Sequence, residues 1–262
     1  NDALTTDNAA FRTRGYVAQA RDRLANNYSE VGEGVIMCVD DRVVSVGATL
    51  NASLGITRQG GYRISNSGQT VTLTTPVCTE VHIHGWWESD AKCEAFTYSV
   101  DGGGDQTASI SALGNDTDYT VVVSGLSLQV HTVVIKPAAT VTKQVDIAGF
   151  SAFSDSSKGV QVNRLGKGGG YLSTMFYPTS DTGANPRSNR LTLGRTRTDL
   201  LVLAFGANES SVTGEGVGYT PAIYRAELID LITYATDTFG CDVMFLTLGE
   251  QNPSQVGSFG EA

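Results

Sequence analysis

The chain has 262 residues, 40% of them apolar and 17% charged, with a formal charge of −9. That length supports one large domain or two modest ones, each with its own core. The acidic balance, with arginines scattered or gathered at 187–197 without interleaved aromatics, argues against an electrostatic nucleic-acid surface, and the absence of any run of about 18 apolar residues argues against a spanning helix.

In chain order, residues 13–27 place Tyr16, Val17, Ala20 and Leu24 on one side at helical spacing, with Arg21 and Arg23 elsewhere. This predicts an amphipathic helix. From about Asp40 to Ile147 the texture changes to Thr, Val, Ser and Gly, with β-branched or alternating runs at Thr70–Thr74, Thr79–His84, Tyr119–Val123 and His131–Lys136. Short runs separated by turn residues predict an all-β sandwich, and Asp101-Gly102-Gly103-Gly104 predicts a tight turn. Asp40-Asp41 reads as the turn that precedes this insert. A hairpin of residues 79–87 and 93–100 is expected. It would set Cys93 opposite Trp86 or Trp87 and Cys78 opposite residues near Asp101, out of disulfide range. Free thiols are therefore expected, which fits cytoplasmic assembly better than secretion.

After Phe150 an α/β texture returns. Gly159–Leu165 reads as a strand ending in the run Gly166-Lys167-Gly168-Gly169-Gly170. Residues 199–205 form a nearly continuous apolar run, as in a strand buried on both faces of a parallel sheet. Thr220 and Pro221 open a helix whose apolar residues Tyr224, Leu228, Leu231, Ile232 and Ala235 repeat at helical spacing until Gly240 closes it. Asp242–Leu248 reads as a further strand.

Two short blocks carry a family resemblance: Asn1-Asp2-Ala3-Leu4-Thr5 ahead of the first helix, and Gly206-Ala207-Asn208-Glu209 directly after the apolar strand. Together they resemble the SGNH (GDSL-type) hydrolases. The resemblance implies an α/β, flavodoxin-like three-layer sandwich formed by residues 1–39 and 151–262, with an all-β jelly-roll domain inserted at 40–150. It also implies a strand before Asn1 and a histidine-bearing loop after the last strand, so the chain is expected to continue beyond both ends. In the family a serine attacks an ester carbonyl, a histidine takes its proton, and backbone amides and an asparagine side chain stabilise the oxyanion. Asn208 matches that asparagine, and Gly168, counted from Asn163, matches the oxyanion glycine, with Gly169 as the alternative that the glycine run leaves open. The serine position is Ala3, whose methyl group cannot attack, and Asn1 departs from the family glycine as well. The pair of departures favours a naturally degenerate site over an engineered one.

The three histidines, His82, His84 and His131, all fall in the β insert, which leaves the base of a triad unassigned. His82 and His84 share a strand face and could present two imidazoles to a metal, but no third ligand sits at suitable spacing. They read as surface histidines on a half-buried strand, and no metal or cofactor is expected. Of the neighbours Trp86 and Trp87, which point to opposite faces, one is expected to be exposed and able to stack on a sugar. Asp155 and Ser156 read as a solvated turn.

The architecture also resembles virion proteins of actinobacteriophages. This implies a non-catalytic structural or glycan-binding component on a virion surface, oligomeric within an assembly, whose partners are other virion proteins or a host cell-surface glycan. Neither nucleic acid nor membrane is expected as a partner. The alternative is an extracellular carbohydrate acetyl-esterase acting on envelope glycans.

Overall fold

The computed structural model describes Arg23 and residues 30–32, 34–51, 60–110, 113–114, 117–138, 143–154, 159–163, 172–176, 193–205 and 220–246. The helix expected over 13–27 lies outside these residues apart from Arg23. The chain divides into two compact units, residues 1–165 and 166–262.

Among the described residues of the first unit, thirteen strands follow one another: β1 (Glu30–Gly32), β2 (Val35–Met37), β3 (Val43–Val46), β4 (Thr49–Asn51), β5 (Gly61–Ile64), β6 (Thr70–Thr74), β7 (Glu80–Trp87), β8 (Phe96–Val100), β9 (Gln106–Thr107), β10 (Thr117–Val123), β11 (Thr132–Pro137), β12 (Val145–Phe153) and β13 (Gly159–Gln161). One sheet runs β10-β7-β12-β5-β4, with β2 also paired to β12, and a second runs β3-β6-β11-β8-β9. Both are antiparallel throughout.

Alternation places the inward residues. Val81, Ile83 and Trp87 of β7 and Tyr119, Val121 and Val123 of β10 join Val71, Leu73, Val133, Ile135, Phe96 and Phe150 in one buried cluster. Each fully buried aliphatic or phenyl side chain contributes about 1.5–3 kcal/mol of hydrophobic stabilisation. Gly85 admits the Tyr119 ring, since a Cβ at position 85 would lie 2.0 Å from Tyr119 Cζ. There the Tyr119 hydroxyl donates to the Asp146 carbonyl at 2.8 Å.

Two expectations need correction. β7 and β8 do not form a hairpin; β7 pairs with β10 and β12, and β8 pairs with β11 and β9 in the opposite sheet. The Ser89–Cys93 turn, closed by the amides of Lys92 and Cys93 on the Ser89 carbonyl, carries the chain between sheets. Second, sandwich pairing begins at Val35 and ends at Phe153 instead of at 40 and 150. Asp40-Asp41 is a turn as expected, but one inside the sandwich, where Asp40 accepts from the backbone amide of Arg42 and pairs with its guanidinium at 2.8 Å.

The strands that enter and leave the sandwich are neighbours: the Ala152 amide donates to the Gly34 carbonyl at 2.8 Å. Immediately outside this gate, β1 and β13 pair in parallel, Glu30 with Gly159 through Gly32 with Gln161. Asn163 locks the junction, its Oδ1 accepting from the amides of both Gly34 and Val35 at 2.9 Å. Gln161 adds a side-chain bond to the Ala152 carbonyl at 2.8 Å.

The second unit contains helix α1 (Leu172–Phe176), strand β14 (Leu200–Leu203), helix α2 (Pro221–Phe239) and strand β15 (Asp242–Phe245). β14 and β15 are parallel, Leu200 opposite Asp242, as a strand-helix-strand crossover requires. Thr220 caps α2 by accepting from the Ile223 amide, Pro221 follows, and Gly240 closes the helix with φ +64°. Leu231 and Ala235 form its buried stripe. β14 is buried on one face only: Leu201 and Leu203 are covered, whereas Leu200 and Val202 are exposed, so the two-sided burial expected of this run is not found. No helix among the described residues is long and apolar enough to cross a membrane.

Candidate functional site

Three of the expected site positions, Ala3, Gly168 and Asn208, lie outside the described residues. Trp86 and Trp87 are described, and each is only 4% exposed. The two do face opposite sides of β7, but both sides are covered. Trp87 packs in the sandwich interior and donates Nε1–H to Asp90 Oδ1 at 2.7 Å. Trp86 lies on the outer face, in a cross-strand row with Arg63, Asp146 and Asp118. Neither indole offers a stacking platform to a sugar, and the expectation of one exposed ring is overturned.

The outer face of this sheet is a polar seam instead. All nine residues of β12 and all of β7 beyond Glu80 are buried, as in a strand shielded on both sides. His84, fully buried, meets Thr120 Oγ1 at 3.0 Å through Nδ1 and Ser151 Oγ at 2.8 Å through Nε2. His82 contacts Glu80 at 2.8 Å through Nε2 and packs tilted against the Phe153 ring, with centroids 4.8 Å apart. These are not surface histidines. Their alternate spacing on one strand suggested a solvent-facing row, but burial depends on what covers the sheet, which no local pattern encodes. The separation of Ser151 and His84 lies within nucleophile-base reach. With both groups fully buried, however, no substrate reaches the hydroxyl. No group of three metal-ligating side chains occurs among the described residues.

A second cluster, missed from sequence, closes one end of the seam. Arg63 holds the buried Asp146 carboxylate with two bonds of 2.8 Å, a planar fork suited to guanidinium. Gln144 Nε2 donates to Asp146 Oδ2 at 3.1 Å and to Glu88 Oε2 at 2.9 Å, and Lys92 pairs with Glu88. The bonds to Asp146 push the Arg63 pKa up, against the opposing effect of burial. Burial likewise pushes the Cys38 thiol up to about 12 and the Tyr119 hydroxyl well above its ordinary value. All four cysteines are buried and free.

A third cluster surrounds His131, also buried. Its Nδ1 lies 2.7 Å from Asp101 Oδ2 and its Nε2 lies 2.7 Å from the Ser127 carbonyl. Asp101 Oδ1 accepts from the Thr132 amide at 2.8 Å, and the His131 amide donates to Thr75 Oγ1 at 2.8 Å. The sequence signalled Asp101 only as the start of a glycine-rich turn, and its left-handed φ of +52° fits that role.

No protein-family model and no curated protein sequence matches the chain. Among solved structures, one described as "Peptidoglycan O-acetylesterase in action, 5 min" superposes with a TM-score of 0.58 at 14% identity over 88% of this chain. The two share a fold. This chain spans 62% of that structure's length. Lower-scoring matches include a family 35 carbohydrate binding module from Clostridium thermocellum, with a TM-score of 0.38, 12% identity, 46% of this chain and 96% of that one. Another is the CBM35 from Cellvibrio japonicus Abf62, with a TM-score of 0.37, 15% identity, 48% of this chain and 97% of that one.

Proposed function

We propose that the chain recognises a cell-envelope glycan on an esterase scaffold without hydrolysing it, as a surface component of a phage particle. The observation that carries the absence of turnover is Ala3 at the serine position, whose methyl group cannot attack an ester carbonyl. His82, His84 and His131 are buried and hydrogen-bonded to Glu80, Ser151 and Asp101, respectively, and serve the sandwich itself. The glycan-directed part is supported by the likeness to a peptidoglycan O-acetylesterase together with the SGNH-like blocks around Ala3 and Asn208. The virion setting is supported only by the sequence resemblance, which also motivates oligomeric assembly.

The test combines binding and turnover. Purified chain is sedimented with peptidoglycan sacculi, O-acetylated or base-treated, and the same protein is incubated with a small acetyl ester. Retention on sacculi, weakened roughly tenfold or more by Asn208→Ala through a lost hydrogen bond to a charged or polar group, with no ester hydrolysis, is the expected result. Hydrolysis by the unaltered chain would sink the proposal.

The esterase fold keeps a second reading in view, that of an acetyl-esterase whose nucleophile has been replaced. Since a triad serine is worth on the order of a millionfold in turnover, Ala3→Ser in a chain extended past the last strand to include the histidine-bearing loop would then give readily measurable hydrolysis. Inactive Ala3→Ser protein speaks for the binding role.

A further inference from the structure

We propose that His131 is a pH-sensitive latch that holds the loop of residues 124–131 against the sandwich while its ring carries a proton, and loosens that loop when the proton leaves. The argument is geometric. Both ring nitrogens face oxygens that only accept hydrogen bonds, the Asp101 carboxylate and the Ser127 carbonyl, each at 2.7 Å. A neutral imidazole has one N–H and one lone pair, whereas imidazolium has two donors. Deprotonation therefore turns one of the two contacts from attraction into lone-pair repulsion.

The latch ties three segments together. Asp101 comes from the turn after β8, Ser127 from the loop itself, and Thr75 and Cys78 from the segment leading into β7. Besides the ring contacts, the base of the loop is held by the Thr75 amide to the His131 carbonyl at 2.9 Å and the His131 amide to Thr75 Oγ1 at 2.8 Å, and its body by the Leu126 amide to the Thr79 carbonyl and the Cys78 amide to the Gln129 carbonyl, both 3.0 Å. Flanking the latter bond, Val77, Leu128 and Val130 are exposed, so the latch sets how firmly an uncharged apolar tip is presented.

The ionisable groups around the ring agree on a direction. Burial opposes the charge on His131, but the bonds to Asp101 and Ser127, with the Cys78 carbonyl, outweigh it and raise its pKa above the ordinary value. The Thr132 amide and His131 itself lower the Asp101 pKa, and burial raises that of the Cys78 thiol, which stays neutral. A raised histidine pKa stabilises the fold fully below the unfolded histidine value, and that contribution fades as pH rises through the folded one. A lowered aspartate pKa contributes above the unfolded carboxylate value and is lost as pH falls through the folded one. The latch is thus closed between the two and opens on the alkaline side.

The test is NMR on the whole chain: the His131 ring titration and the amide exchange of Leu126 and Cys78, corrected for intrinsic rates, from about pH 5.5 to 8.5. The expected result is a ring that titrates above about 6.5 and protection that falls roughly three- to tenfold across the same transition, while β7 amides keep theirs. Asp101→Asn provides the second arm. Asparagine tolerates the left-handed backbone and keeps an oxygen for the Thr132 amide, so the turn is retained, but it offers Nδ1 no carboxylate. Its His131 pKa should drop and the pH dependence of protection should vanish. Protection that is flat in the unaltered chain, a ring that titrates at or below the ordinary value, or unchanged pH dependence in Asp101→Asn would overturn the latch.

Discussion

Single residues in this sandwich are constrained by what stands opposite them. Gly85 is the sharpest case, since the space its missing side chain leaves is filled by the Tyr119 ring. Gly85→Ala must push that ring off the Asp146 carbonyl or bend β7. Overpacking of this kind costs about 1–3 kcal/mol, and loss of a buried hydroxyl's partner adds to it. Urea unfolding should show a lower midpoint with an unchanged m-value, and Gly85→Ala paired with Tyr119→Phe should recover little, because the clash lies with the ring itself. Little of this was visible in the sequence. Gly85 stood in an alternating run without signalling that an aromatic would need its space, and the tryptophans beside it were expected to split between core and solvent. Both are buried, and the covering of the outer face of β7 is not written in the alternation of β7 itself.

At the scale of elements, chemistry confined to a few neighbouring residues proved readable. The α2 helix starts and stops where Thr220, Pro221 and Gly240 place its ends, because capping is decided within one turn of chain. Thr220→Ala should lower stability by about 1 kcal/mol through loss of the bond to the Ile223 amide. Gly240→Ala should cost a similar amount, because φ of +64° strains any residue with a Cβ. Thermal melts followed by circular dichroism would register both, and Thr220→Ser should lose little. Strand existence was readable for the same reason: Thr70–Thr74 was placed at its observed bounds. Strand partnership was not, as the absent β7–β8 hairpin shows. Consecutive strands pair so often that proximity in sequence favoured it, yet the Ser89–Cys93 turn crosses between sheets.

For the whole molecule, the chain shares a fold over 88% of its length with a solved structure described as a peptidoglycan O-acetylesterase, at 14% identity, while the two blocks that carry the sequence resemblance lie outside the described residues. The ends of the sandwich meet at the gate of Gly34, Ala152, Gln161 and Asn163. That gate has a consequence for the order of folding. β1 and β13 are parallel partners separated by everything from position 33 to 158, and closing so long a loop in an unfolded chain carries a steep entropic cost that grows with the logarithm of its length. A folded sandwich delivers both ends side by side and shortens the effective loop to a handful of residues, saving about 2 kcal/mol. The order is open to pulse-labelled hydrogen exchange during refolding: protection of β1 and β13 should arrive with or after that of β7 and β11, and never before. The insert, in this light, is its neighbour's nucleus, a self-folding bridge that brings two distant stretches of chain within pairing distance.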